Sequence, residues 1–354
     1  MISKVKKFNI FFVEKEEELL KSLQKLGIVE IENLSFEGFE NKKISKEKIE
    51  EKIRKIEFLK NILIEYSEKP INEKIFIKED EERKILDSFS IDDLFNYYFS
   101  LSQEIERRKK VIERIEKLEE EIIPFIETEI IFYNIFSLSN FNFFIFSLPY
   151  NQKIDEINED LYIEKIGENP KEIFYILLFK KEKKEIAENF LKEIGGEILF
   201  VRKWNKKIRE IFEKFEKVKN KNEELISELK DKISGILKYK KEIFVVYDYY
   251  ISFYEFLSVK ERLGISKFVK GIKGWIREKD INLLKDTISK ILPESYLVFE
   301  EPQEGENVPI ILENSKLIEP FEVVTDLYGR PIYKNIDPTG PLSIFFAISF
   351  GFCL

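Results

Sequence analysis

The chain has 354 residues, 44% hydrophobic and 36% charged, and its 59 Lys and Arg against 67 Asp and Glu give a net charge of −8. Lys and Glu are interleaved with no basic stripe, which excludes the counterion-releasing face of a nucleic-acid binder. There is no histidine, and Cys353 is the only cysteine, so the commonest acid/base group and metal ligand are absent, as are an internal disulfide and a Cys-rich zinc site. A reducing, cytosolic setting fits, and residues 1–13 lack a signal-peptide pattern.

In chain order, Lys6–Val13 reads as a strand. Glu14–Leu26 reads as a helix with Leu19, Leu20, Leu23 and Leu26 on one face, stopped by Gly27 in the left-handed position after the last turn. Ile28–Ile31 reads as a second strand. Helical spacing returns over 44–66 and is ended by Pro70. A polar stretch to Ser90 follows. Ser90-Ile91-Asp92-Asp93 has the form of a capping box opening a helix that Pro124 closes. Further on, residues 204–263 contain no proline and keep a heptad. One seam runs Ile208, Phe215, Asn222, Leu229, Ile236, and the other Ile211, Val218, Leu225, Lys232, Tyr239. Such a stripe faces another helix. Residues 243–254 have strand-like composition, but Ile243, Val246, Tyr250, Phe253 and Leu257 share one helical face.

Lengths suggest the arrangement. At ~1.5 Å per residue the outgoing helices reach roughly 35 Å and 50 Å, and the returning one roughly 90 Å, with Gly235 a point of weakness. An antiparallel helical hairpin follows. Between its limbs the order is strand 141–148, helix 154–160, strand 162–166, strand 173–179, helix 182–194 and strand 198–201, the ferredoxin-like pattern. After the hairpin come strand 267–276, helix 280–291 and strand 296–300. Alone, neither terminal β-α-β unit buries its sheet. The expectation is an α+β fold: two ferredoxin-like lobes joined by a coiled-coil arm, a dumbbell. Residues 1–40 and 264–320 form the proximal lobe, 41–125 and 204–263 the arm, 126–203 the distal lobe, and 321–354 a linker and apolar end. Residues 342–354 are almost wholly apolar, yet ~13 residues are fewer than the ~20 a bilayer span needs. The alternatives are a buried core segment and the start of a membrane helix, of which the second is favoured because a bare Phe-rich end suits water poorly.

The tail Val308-Pro309, Pro320-Phe321-Glu322, Thr325, Tyr328-Gly329-Arg330-Pro331, Tyr333 and Ile336-Asp337-Pro338-Thr339 resembles the segment before the first membrane helix of the V-type/A-type rotary ATPase stator subunit, subunit a in eukaryotes and subunit I in prokaryotes. Gly274-Trp275-Ile276 with Glu278 is similar to that family's G-W-[IV]-P-E stretch, with Arg277 in place of proline. Leu23–Ile31 is similar to its opening β-α-β unit, and Gly351–Leu354 to part of its first membrane helix. Gly340 interrupts the usual threonine-to-proline step. The resemblance implies a cytoplasmic half at the membrane face that grips peripheral-stalk coiled coils. The other half, which meets the rotor ring of a proton- or sodium-translocating machine, lies outside these residues. It implies no catalytic, cofactor or metal site in this chain, no small-molecule substrate and no nucleic-acid partner.

The residues agree as far as they go. There is no G-x-x-x-x-G-K-[ST] phosphate loop. Gly271 and Gly274 do not make G-x-G-x-x-G and read as a tightly packed strand. Glu79–Glu82 and Glu119–Glu121 lack calcium-loop spacing and read as solvated faces. Asp248 reads as a surface position. Arg108 and Asn222 interrupt the seams, either as a solvent-reaching arginine and a register-setting asparagine, or as a hinge. Two other functions stay open: a soluble coiled-coil tether or regulator with ligand-binding lobes, and an enzyme. The hairpin layout predicts a radius of gyration in solution scattering well above the roughly 20 Å of a compact chain of this length; a value near that figure would contradict it.

Overall fold

The computed structural model describes residues 2–67, 75–152, 154, 159–333 and 335–353. Its elements are β1 (Val5–Phe12), α1 (Glu16–Leu26), β2 (Val29–Glu32), β3 (Glu40–Asn41), α2 (Glu47–Glu65), α3 (Glu79–Ser88), α4 (Ile91–Ile122), α5 (Phe132–Phe136), β4 (Phe141–Pro149), β5 (Leu161–Glu168), β6 (Glu172–Lys180), α6 (Lys184–Glu193) and β7 (Glu197–Leu199). There follow α7 (Ile208–Ser234), α8 (Lys240–Glu261), β8 (Gly264–Ile265), β9 (Lys270–Arg277), α9 (Ile281–Ile291), β10 (Tyr296–Glu300), α10 (Glu322–Tyr328) and α11 (Thr339–Cys353). The fold is mixed helix and antiparallel sheet. Its residues fall into two compact units: Met1–Glu57, Ile75–Phe89 and Glu242–Leu354 form one, and Phe58–Lys74 and Ser90–Lys241 the other.

In the first unit the sheet order is β10-β1-β9-β8-β3, and β2 also pairs with β9. β1 thus sits between two strands from the far end of the chain, with Phe8 opposite both Gly274 and Phe299. Alternation along β1 turns Phe8, Ile10 and Phe12 into a core with Leu19 and Leu23 of α1 and Leu284 and Ile288 of α9. Gly27 ends α1 at φ 61°, where its amide donates to the Leu23 carbonyl. Gly274 is demanded by close approach, since a Cβ there would lie 2.2 Å from the Glu30 carbonyl oxygen. On the sheet's other side the Trp275 indole donates to Glu32 at 2.7 Å. Within this unit the first part of α2 runs antiparallel to the end of α8: Lys46 pairs with Glu261 at 2.6 Å and lies over the Tyr254 ring, while Lys52 lies over Tyr250.

The second unit holds the sheet β5-β6-β4-β7. Alternate residues serve two cores. Ile145, Phe174 and Ile176 pack with Phe125, Phe132, Ile208 and Ile211 on one face. Phe146, Leu177 and Phe179 pack with Ala187 and Leu191 of α6 on the other. The Pro124 turn crosses β5 so closely that a Cβ on Gly167 would fall 1.7 Å from the Pro124 carbonyl oxygen, at a register shift in the strand. α4 begins at the expected cap, with Ser90 Oγ accepting from the Asp93 amide at 3.3 Å. It packs antiparallel along α7. Arg108 Nη1 donates to Asn222 Oδ1 at 3.2 Å, and Lys219 reaches Glu116 at 3.1 Å.

Several expectations are corrected. The helix expected over 204–263 is not one α-helix: α7 gives way to a 3-10 turn at Gly235–Tyr239 before α8. Its seam also drifts. Val218 is exposed, and Ile233 rather than Lys232 is buried, because a 3.6-residue turn slips about 20° per heptad against a 3.5 repeat. The polar stretch before Ser90 contains α3, and α5 and α10 were not anticipated. Pro70 and most of the helix expected at 154–160 lie outside the described residues. Gly274→Ala should destabilise the fold by about 1–3 kcal/mol through the backbone clash. Urea denaturation checks this, and an unchanged midpoint would refute it.

Candidate functional site

The tail that carries the family resemblance folds back onto the first unit. Ser3 donates its amide to the Ile311 carbonyl at 2.9 Å, and Ile2 bridges Leu312. The chain's opening residues thus lie between the tail and β9, whose next residue, Glu278, donates its amide to the Lys4 carbonyl. The Tyr333 hydroxyl accepts from the Val5 amide at 3.2 Å. Charges reinforce the seam. Glu313 receives Arg277 at 3.2 Å and Lys279 at 2.5 Å, and the Lys279 ammonium chiefly holds its carboxyl below the usual range. Lys6 lies 2.9 Å from Glu301 and 3.4 Å from Glu278, and those hydrogen bonds raise its ammonium above the ordinary value.

The centre of this junction is Asp337. Its Oδ1 accepts from the Thr339 amide at 2.9 Å and from Thr339 Oγ1 at 2.6 Å, and its Oδ2 accepts from Asn314 Nδ2 at 2.9 Å. Asn314 also donates to Glu322 at 2.8 Å. With its proton committed to Asp337, Thr339 Oγ1 accepts from Thr325 Oγ1 at 2.8 Å, and both threonines are fully buried. Burial pushes the Asp337 carboxyl up, the Thr339 and Asn314 donors are among the groups that act against it, and the net result holds the group well below its ordinary range. The carboxylate satisfies an amide at the start of α11, where negative charge is also favoured by the helix dipole. Arg330 clips the intervening loop by donating to Asp326 at 2.7 Å and to the Ile310 carbonyl at 2.9 Å. Chemically the arrangement is a fastening. Its one hydroxyl–carboxylate pair, Thr339 with Asp337, has the hydroxyl buried and shared with Thr325.

The other sequence candidates lie elsewhere. Asp248 is exposed in α8. Glu79–Glu82 forms the first turn of α3, and among the described residues no group of three or more His, Cys, Asp or Glu side chains could hold a metal ion. Glu119 departs from the solvated reading: it is buried toward α7, with Oε2 3.8 Å from Lys219. Arg108 and Asn222, read separately as solvent-reaching and register-setting, form one cross-helix pair. Asn222 is buried, donating in addition to the Val218 carbonyl at 2.7 Å. Sequence reading singled out Asp337 and both threonines but missed Asn314 and Glu313. No local signal marks them, because their partners are far along the chain.

No protein-family model matches the chain. It is similar to the A-type ATP synthase subunit I of Pyrococcus horikoshii, 37% identical over 87 residues, 24% of this chain and 13% of that protein. The subunit I of Methanocaldococcus jannaschii is 32% identical over 126 residues, 33% and 17% of the two chains. That of Methanothermobacter thermautotrophicus is 24% identical over 207 residues, 57% and 31%. The chain thus spans less than a third of the length of these relatives. A solved cytoplasmic N-terminal domain of subunit I, homolog of subunit a, of V-ATPase aligns with 83% of this chain and 100% of its own at 13% identity and a TM-score of 0.34. The family assignment rests on the sequence relatives.

Because Asp337 is more acidic when folded, its contribution to stability is complete above the unfolded value of about 3.9 and is lost as pH falls through the folded one. Asp337→Ala should cost about 0.5–2 kcal/mol, as loss of a cap does, and should flatten the part of the stability curve below about pH 4 that this group contributes. Hydrogen exchange at Thr339–Ser343 over a pH series checks both, and unaltered protection in the variant would count against the role.

Proposed function

The chain belongs to the subunit I family of A-type ATP synthases, and we propose that it is the cytoplasmic stator portion of such a subunit, anchoring peripheral stalks to a membrane sector and resisting rotary torque. The observation that carries this reading is the junction just described. A sheet built from both ends of the chain is paired to the tail at Ile311 and Tyr333, and Asp337, Thr325 and Thr339 tie that tail to an apolar helix whose Ile344, Phe345 and Phe352 are exposed. Force applied to the lobe would pass into that helix through backbone pairing and buried hydrogen bonds.

The same reading takes each sheet as a ferredoxin-like lobe. Numbering the four main strands of each by sequence, the orders β10-β1-β9-β2 and β7-β4-β6-β5 are both 4-1-3-2 with antiparallel neighbours, and that order supports it. Residues 1–40 with 264–320 and residues 126–203 would be the lobes, residues 41–125 with 204–263 an antiparallel arm, and the whole a dumbbell. α11 would be the beginning of a membrane span completed by residues beyond it. Among the described residues no helix is long and apolar enough to cross a membrane. The role needs no reaction in this chain, and the partners would be stalk coiled coils and, through the further half, a rotor ring carrying protons or sodium ions.

In a pull-down, the purified chain should retain coiled-coil peripheral-stalk subunits of a rotary ATPase, and the gene should continue past codon 354 into several apolar spans, one with an arginine. Failure to retain any stalk dimer, together with a thermal shift on adding a metabolite, would replace the scaffold with a ligand-binding tether.

A further inference from the structure

The tail of the first unit is built inside out. Its most buried side chains are hydroxylic: Thr325 and Thr339 are 0% exposed, and Ser343 is 8% exposed. Its large apolar side chains point away from the protein: Leu317, Val323, Leu327, Tyr328, Ile332 and Ile336 are between 64% and 88% exposed. Water stabilises the opposite pattern, apolar inside and polar outside. Helices in lipid show this one, with small and hydroxylic residues at the helix contact and apolar residues outside. α10 and α11 meet through the Thr325–Thr339 hydrogen bond, and Ser343 returns its proton to the Gly340 carbonyl at 2.7 Å, so the polar groups at the contact are satisfied internally.

What covers this surface follows from its continuity with α11. That helix exposes Ile344 and Phe345 as well as Ile348, Phe350 and Phe352. Ile344, Phe345, Ile348 and Phe352 share one side of the helix and Phe350 lies on the opposite side, so a groove along one side leaves the other apolar side in water, whereas acyl chains cover both. Val323 and Leu327 stand one turn apart on α10, beside the first turn of α11. Tyr328 follows, a ring with a polar tip of the kind that sits among lipid headgroups. We propose that residues 317–333 together with Ile336 form an interfacial belt, with α10 lying at the headgroup level of a lipid bilayer and Leu327 and Ile332 reaching the acyl boundary. This goes beyond the stator reading by giving the pre-helix segment its own lipid contact. It rests on that reading only in taking α11 to enter the membrane.

The test uses the whole chain with Cys353→Ser and a nitroxide on Leu327→Cys or, separately, Phe345→Cys, mixed with vesicles of phosphatidylcholine and phosphatidylglycerol. With the label at 345 deep, collision with oxygen exceeding that with an aqueous nickel chelate at 327 supports the belt. A chelate-exposed label at 327 beside a deep label at 345 overturns the belt and leaves the membrane entry of α11 standing. Labels exposed at both sites overturn both. In the otherwise unaltered chain, Leu327→Asp with Ile332→Asp should weaken vesicle binding about tenfold or more. Phe200→Asp, an exposed apolar site in the second unit, should leave it unchanged; equal binding by all three chains overturns the belt.

Discussion

The first unit depends on one pairing, the insertion of β1 between β9 and β10. Phe8 faces Gly274 on one side and Phe299 on the other, so the sheet cannot exist until residues far apart in sequence have met. Closing so long a loop carries an entropic penalty that grows only slowly, by about 0.6 kcal/mol per doubling of length. The compensation is a buried core in which neither terminal β-α-β unit stands alone: Leu19 and Leu23 from one end and Leu284 and Ile288 from the other cover the same strand face. The closeness of that fit is visible at Gly274, where the β2 backbone leaves no room for a side chain.

The tail depends on this sheet in turn. Ser3, Lys4 and Val5 are held on one side by β9 and its 3-10 extension and on the other by Ile311 and Tyr333. Asp337 then fixes the start of α11 against α10. A half-buried carboxylate stays ionised there because three donors meet it and replace the water it gives up. The hydroxyl chain from Thr325 through Thr339 to Asp337 leaves no polar group of that contact unpaired, and apolar residues can therefore face outward.

In the second unit the helix pair combines apolar and polar elements. Ile105, Ile115 and Ile122 of α4 and Ile208, Ile211 and Ile233 of α7 are buried. Arg108 and Asn222 break the seam at one level, and each breaks it for the other. Exposed ion pairs such as Arg202–Glu121 are screened by water and contribute little. Alignment of the helices therefore rests on the isoleucines and the polar pair.

Local chemistry alone determined a good deal. The strand at residues 6–13, the stop at Gly27, the cap at Ser90, the helical state of 243–254 and the breaks near Pro124 were legible because each rests on periodicity, a left-handed turn or a cap within a few residues. The four main strands of each sheet were legible for the same reason, as was the importance of Asp337-Pro338-Thr339, whereas the two-residue strands β3 and β8 were not. What only the tertiary structure decided involves partners distant in the chain or competition along a long element. Asn314 reaches Asp337, Arg108 finds Asn222, and Glu119 turns inward, all across separations on which residue pattern is silent. α3 and α10 were hidden because their faces are too polar or too exposed for periodicity to reveal. The break after Ser234 falls at Gly235, which the sequence marked as weak, but the slip of the buried stripe from Lys232 to Ile233 arises because a heptad written in sequence is an idealisation that a real 3.6-residue helix leaves behind within a few turns.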